Sequence, residues 1–201
     1  MLPEPFLGLL EAIPAGVFVV DAQTRLPVYA NRAAVDLLGR GLAPDAAAED
    51  LPQVYQAVVA GSDEPYPPER QPLVRALAGE HHQVDDMELK KESGRVPLHV
   101  VGAPIFDASG AITHAAAVFF DMSERRRIEA DLRLKTQVFE SSIAANSVAG
   151  VDGVIHTVNH AFARLWGFAS PQEAVGRPVP AYLADPSAGG PIIEALNTTG
   201  R

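Results

Sequence analysis

Asn31-Arg-Ala-Ala-Val-Asp-Leu-Leu-Gly39 and Asn159-His-Ala-Phe-Ala-Arg-Leu-Trp-Gly167 are two copies of one pattern, N-x-A-x-x-x-L-x-G, offset by 128 residues at all four shared positions. The residues before each Asn agree as well. Gly16-Val-Phe-Val-Val-Asp21, a turn, and Leu26-Pro-Val-Tyr-Ala30 read as strand–turn–strand, as do Val148 to Gly153 and Val154 to Val158. The Asp152-Gly153 pair is a hairpin signal because Gly accepts the positive φ that a tight turn demands. A period this long means duplicated domains rather than a solenoid. Only 42 residues follow Asn159, so the second copy is expected to be incomplete: without its last three strands it would be disordered or borrow strands from a partner.

Outward from the first Asn, the elements follow from local chemistry. Residues 4–12 carry Phe6, Leu7 and Leu10 on one helical face, and Pro14 ends that helix. Strands are expected at 16–21 and 27–30. Asn31 is placed to cap a helix over 32–38, and Gly39 to stop it. Residues 40–70 read as irregular or weakly helical. A helix follows over Pro72-Leu-Val-Arg-Ala-Leu-Ala, stopped by Gly79. Strands near 82–91, 95–105 and 112–121 are separated by Ser93-Gly94 and Asp107-Ala-Ser-Gly110 turns, which makes an antiparallel meander. Strands at both ends with helices between describe an α+β domain, a five-stranded antiparallel sheet with helices on one face. The space between sheet and helices is the natural pocket. Ser123 is expected to cap a long linker helix bearing Ile128, Leu132, Leu134, Val138 and Phe139. The expected organisation is a domain over 1–122, a signalling helix over 123–142 and the opening part of a second domain over 143–201.

Composition narrows the function. With aromatics at 6%, aliphatic side chains and Ala must fill the core. The net charge is −9 and no basic stripe with interleaved aromatics is present, which argues against nucleic-acid binding. Arg125, Arg126 and Arg127 cluster in a helical segment with acidic flanks and read as a solvated face. There is no Cys, so disulfides and thiolate chemistry are excluded, and a reducing compartment fits. The N-terminus lacks a signal-peptide pattern and no apolar run spans a bilayer, so the chain is expected in the cytoplasm.

Several blocks, in order and spaced alike, resemble the PAS domain family. They are the Asn31-x-Ala33 segment; Tyr66-Pro-Pro-Glu-Arg-Gln-Pro-Leu-Val-Arg-Ala-Leu-Ala-Gly-Glu80; Gly102-Ala-Pro-Ile-Phe-Asp-Ala-Ser-Gly110; and Asp121-Met-Ser-Glu-Arg-Arg, which is similar to the Asp-Ile-Thr-Glu-Arg-Lys joint between such domains and a signalling helix. The resemblance implies a sensor module that binds a small ligand or cofactor, pairs as a dimer and passes a change through its exit helix to an effector. That effector is a histidine kinase or a cyclic-dinucleotide synthase or hydrolase; none is in this sequence. The alternative is a ligand-free dimerisation and spacer module.

Strand alternation places Phe18, Val20, Val28 and Ala30 toward the helices, with Ala34 and Leu38 facing them, and Leu98, Val100, Gly102 and Val118 inward from the later strands. These line either a filled core or a ligand pocket, in which Ala30, Ala34 and Gly102 would leave room. Asp121, Ser123 and Arg125 sit at the sheet-to-helix joint, the coupling point that the family resemblance implies. A homodimer would form through the linker helix and the N-terminal face of Phe6, Leu7, Leu10 and Ile13. Covalent flavin and thioester chromophores need a Cys and are excluded; haem and non-covalent flavin remain open. None of the six His, at 81, 82, 99, 114, 156 and 160, shows metal-ligand spacing. Haem-binding relatives place an axial His on the helix before the third strand, and here that helix has none. Glu88, Glu92, Asp85 and Asp86 form no paired-carboxylate site, no catalytic motif is present, and Trp166 is expected in the core.

Overall fold

The computed structural model describes residues 4–182 and, for side chains, 7–182. The chain divides into two compact units between Arg127 and Ile128, so the long helix expected as a separate linker contributes to both.

In the first unit, helix α1 (Glu4–Ala12) precedes strands β1 (Gly16–Asp21) and β2 (Pro27–Ala30), helices α2 (Arg32–Leu38) and α3 (Leu51–Val54), strand β3 (Ala57–Val59), helix α4 (Pro72–Leu77), strands β4 (His82–Lys91), β5 (Gly94–Phe106) and β6 (Ile112–Asp121), and helix α5 (Ser123–Ser141). The sheet is antiparallel throughout, in the order β2-β1-β6-β5-β4-β3. It has six strands rather than five. The extra one, β3, pairs Ala57 with Leu89 and Val59 with Met87 at the edge. Three residues are too few to show a period. The chain enters β3 through Gln56 at a positive φ of 54°, a tertiary constraint without a local signature.

Asn31 organises the start of the domain. It is fully buried, and all four hydrogen-bonding positions of its amide are used. Its Oδ1 accepts from Val17 N at 2.9 Å and Ala34 N at 2.8 Å; its Nδ2 donates to Leu10 O and Ala15 O, both at 2.9 Å. One side chain thus caps α2 and ties it to β1 and to the end of α1. Gly39, in the left-handed region at φ 76°, closes α2.

Two bulges decide which way side chains point. Val19 pairs with Tyr29 but Val20 pairs with Pro27, so Val28 is an extra residue with no partner. Val28 is half exposed, contrary to the inward placement expected from simple alternation, because the bulge resets the parity. The second bulge lies in β4, where Asp85 and Asp86 oppose His99. On β6, the inward residues are Ala115, Ala117 and Phe119. Val118 lies on the opposite face, paired with Val17 and Val101, which corrects its inward assignment: the ladder fixes a register one residue from the one assumed.

In the second unit, β7 (Ser147–Ala149) and β8 (Ile155–Val158) form a hairpin followed by α6 (His160–Leu165). Ile155, Val158, Phe162 and Ala174 form a small core, flanked by Phe168 and Tyr182. The expected disorder of this copy is not met over 147–182; whatever follows Tyr182 lies outside the described residues. Trp166 is 41% exposed rather than in the core, stacked on Phe162 at 4.4 Å. Asn159 repeats the role of Asn31: buried, its Oδ1 accepts from Asn146 N and Phe162 N, and its Nδ2 donates to Phe139 O at 3.0 Å and Ala144 O at 2.8 Å. Glu11 accepts from Arg32 N, and Glu140 from His160 N. The last turn of α5 therefore stands to α6 as α1 stands to α2.

Candidate functional site

The first unit holds a cavity of about 60 Å³ between sheet and helices. Strands β1, β4, β5 and β6 contribute Phe18, Met87, Leu89, Leu98, Val100, Ala117 and Phe119. The helical side contributes Leu38, Leu51, Pro52, Tyr55, Pro72 and Leu73, with Ala57 and Gln71. Four of the residues proposed from sequence, Phe18, Leu38, Leu98 and Val100, are on this wall. Val20 and Ala34 are buried in the surrounding core, and Ala30 packs against it half-buried.

Gly102 does not open the cavity. A Cβ there would stand 2.1 Å from Pro72 O, so the missing side chain is what lets the α4 backbone lie on the sheet. Sequence reasoning missed the other eleven wall residues, among them Tyr55, Gln71, Leu73, Met87, Leu89, Ala117 and Phe119. The alternation Met87–Leu89 and Ala115–Ala117–Phe119 carried a signal for four of these; nothing local marked Tyr55 or Gln71.

The wall is almost wholly apolar. The Tyr55 hydroxyl donates to Gly41 O at 3.0 Å, its ring meets Phe18 edge-on, and burial pushes its phenol pKa up. Beyond the wall, Tyr66 is fully buried; its hydroxyl donates to Asp86 Oδ1 at 2.8 Å, and Arg70 binds the other oxygen of the same carboxylate. Burial pushes the Asp86 carboxyl up, but the hydrogen bonds from Tyr66 and Arg70 outweigh it and hold the group below its usual range. Burial and the Asp86 carboxylate push the Tyr66 phenol well above its usual range.

No His lines this cavity, so its wall offers no axial ligand for a haem iron. Among the described residues, no group of His, Asp and Glu is arranged to hold a metal ion.

The sheet meets α5 at a compact joint. Asp121 Oδ1 accepts from Ser123 N at 2.7 Å, and Met122 N donates to Pro97 O at 2.9 Å. Ser123 is the first helical residue and Asp121 supplies the acceptor, which corrects the expectation that Ser123 caps the helix. Arg125 is exposed on the first turn. Arg126, read from sequence as part of a solvated cluster, reaches back to β4: its Nη2 donates to Asp85 O at 3.0 Å and its Nη1 lies 3.6 Å from Glu88 Oε1. Strands β4, β5 and β6 each contact both the cavity, through Met87, Leu98 and Phe119, and this joint.

This arrangement, an antiparallel sheet packed with short helices around a small apolar cavity and leaving through a helix tied to its last strand, defines an α+β domain. A family profile described as PAS fold matches residues 10–127, and one described as PAS domain matches residues 132–197. The chain belongs to the PAS family and carries two such domains in tandem. PAS domains are sensory rather than catalytic modules. Comparison with curated proteins gives no match.

Among solved structures, the chain is similar to the PAS domain of nitrogen regulation protein NR(II) from Vibrio parahaemolyticus, at 16% identity and TM-score 0.42, covering 60% of this chain and 99% of that one. It is also similar to the N-terminal domain of a diguanylate cyclase with PAS/PAC sensor from Marinobacter aquaeolei, at 19% identity and TM-score 0.41, covering 56% and 98%. Similarity to an RNA-binding light-oxygen-voltage receptor, at 19% identity and TM-score 0.46, covers 68% of this chain and 38% of that one. No described helix is long and apolar enough to cross a membrane.

Proposed function

We propose that the first PAS domain is the ligand-responsive input of a signalling protein and that α5 is its output. The carrying observation is that Leu98, on the cavity wall, pairs across the sheet with Asp121, whose carboxylate holds the first turn of α5. An occupant that moves Leu98 moves the ladder at Asp121, and the joint passes the change to the helix. Because the far end of α5 is bonded by Asn159, the same helix is the leading helix of the second domain. Ligand binding then shifts a population between two settings of α5. The effector in the parent protein is a histidine kinase in this reading, with a diguanylate cyclase or phosphodiesterase as the alternative.

The exposed Ile128, Leu132, Leu134 and Val138 on α5, each 57–65% accessible, support a second reading, in which the chain dimerises through α5 and α1 and spaces the effector without a ligand. For α1, Leu7, Leu10 and Ile13 are half-buried; the Phe6 side chain lies outside the described residues.

Native mass spectrometry of the purified chain, combined with hydrogen exchange over residues 123–141, separates the two. A bound small molecule whose removal changes exchange in α5 supports the input reading. A dimer with no bound molecule, and α5 exchange indifferent to every compound that enters the cavity, supports the spacer.

A further inference from the structure

The bulge in β4 joins elements that the β5–β6 ladder does not. The β4–β5 register breaks between Val84 and Met87, and Asp85 and Asp86 stand together opposite His99. At such a break the ladder is disrupted and its groups are re-aimed. Both carbonyls are taken by other elements. Asp85 O accepts from Arg126 Nη2 of α5 at 3.0 Å, and Asp86 O accepts from Ala60 N, just beyond β3, at 2.8 Å. The side chains part as well. Asp85 Oδ1 lies 2.6 Å from His99 Nδ1, while the Asp86 carboxylate is bonded by Tyr66 and Arg70. The Arg70 guanidinium also lies over the Tyr66 ring, 5.4 Å from its centroid. Arg70 is followed directly by Gln71, Pro72 and Leu73, which are on the cavity wall. The helical wall is thus connected to the first turn of α5 through Arg70, Asp86, the Asp85 carbonyl and Arg126 in succession.

We propose that this bulge is a second joint of the output helix, tying α5 to the α4 side of the cavity as Asp121 ties it to the sheet side. This rests on the input reading above and deepens it by giving the response two routes. The Leu98–Asp121 route carries a displacement of the sheet wall, and the Arg70–Arg126 route carries a displacement of Pro72 and Leu73. Arg70 and Arg126 are positioning residues, each acting on the other through the bulge. Arg suits both ends, because its planar fork offers several directed donors at once. Arg126 gives Nη2 to Asp85 O and sets Nη1 3.6 Å from Glu88 Oε1. Glu88 is itself held by Gly61 N and Arg95 Nη1, both at 3.2 Å, so the anchor that Arg126 meets on β4 is fixed from the β3 turn and from β5.

The test is a double-mutant cycle on the full chain without ligand, read by amide hydrogen exchange. The reporting amides are Ser123 N, bonded to Asp121 Oδ1, and Arg126 N, bonded to Met122 O. Arg70→Ala is expected to raise their exchange about threefold, within what a partly exposed ion pair supplies, and to leave amides 115–119 of β6 unchanged. In an Arg126→Ala background the same substitution is expected to add nothing. Asp86→Asn serves in place of Arg70→Ala if that variant fails to fold. Effects that simply multiply in the double variant overturn the proposal, because residues without a shared partner act independently. So does an unchanged rate at Ser123 and Arg126 in Arg70→Ala, and so does an equal rise at amides 115–119, which would mark a global loss of stability. The cycle uses no ligand, so its failure leaves the input reading standing, and failure of that reading in the exchange experiment above leaves the joint in place.

Discussion

Leu98 and Asp121 are direct partners in the β5–β6 ladder. One is buried against the cavity, and the other is exposed and accepts the first free N–H of α5 at 2.7 Å. A cavity residue and a helix-holding residue are therefore coupled through a single ladder position, with no intervening loop.

Replacing Asp121 with Ala tests that joint. Loss of the cap is expected to cost about 1 kcal/mol and to raise hydrogen exchange selectively at amides 123–126, with the cavity methyl signals unmoved. Arg126→Ala is expected to loosen the same turn while costing no more than about 1 kcal/mol, since its partners are partly exposed. Exchange unchanged in both variants would show that the joint does not hold the helix.

Gly102→Ala is expected to destabilise the first domain by about 2–3 kcal/mol, because the new methyl meets the Pro72 carbonyl carbon and oxygen at 2.4 and 2.1 Å and backbone cannot step aside cheaply. The sign is informative. In an uncrowded strand Ala is preferred to Gly, so a neutral or stabilising result by urea denaturation, followed by circular dichroism, would contradict the packing of α4 on β5.

Asn31→Ala and Asn159→Ala form a matched pair. Each leaves buried backbone groups without partners and is expected to cost about 3 kcal/mol in its own domain. Trp166 is the single Trp of the chain and stacks on Phe162, so its fluorescence reports the second domain. The expected result is an early Trp transition for Asn159→Ala and an unshifted one for Asn31→Ala.

The Tyr66–Asp86–Arg70 group predicts how stability varies with pH. Asp86 has a lowered pKa in the folded state, so its contribution is present above the ordinary carboxylate pKa of about 4 and is lost as pH falls further. Tyr66 has a raised pKa, so its contribution is present below the ordinary phenol pKa of about 10 and is lost as pH rises beyond it. Tyr66→Phe is expected to cost about 1 kcal/mol near neutrality and to flatten the alkaline decline. Tyr29, pushed up to about 12 by burial and by Glu11, leaves a smaller alkaline decline in that variant. A Tyr66→Phe profile parallel to the unaltered one across pH 9–11 would refute the assignment.

The elements legible without the structure are those whose chemistry is local. Asn31 and Asn159 announce caps because a short amide side chain meets the free N–H groups of the turn it precedes. The meander over 82–121 is announced by its turns, where Asp107 Oδ1 accepts from Ser109 N and Ala111 N and Gly110 takes φ 87°. The repeat gave the tandem organisation in the same way, since it requires only a comparison of the chain with itself. Three wall residues, Phe18, Leu98 and Val100, followed from strand alternation, and Leu38 from the face of α2.

Tertiary structure alone decided the rest, because it depends on partners distant in sequence. Val28 turns outward where β2 gains a residue against β1, and Val118 lies on the far face because the pairing with β1 and β5 sets its parity. Gly102 is small for the sake of Pro72, not for a ligand. Arg126 belongs to β4 rather than to solvent. A sequence shows which groups a residue carries, but whether each is paired is settled only when the fold has placed its neighbours.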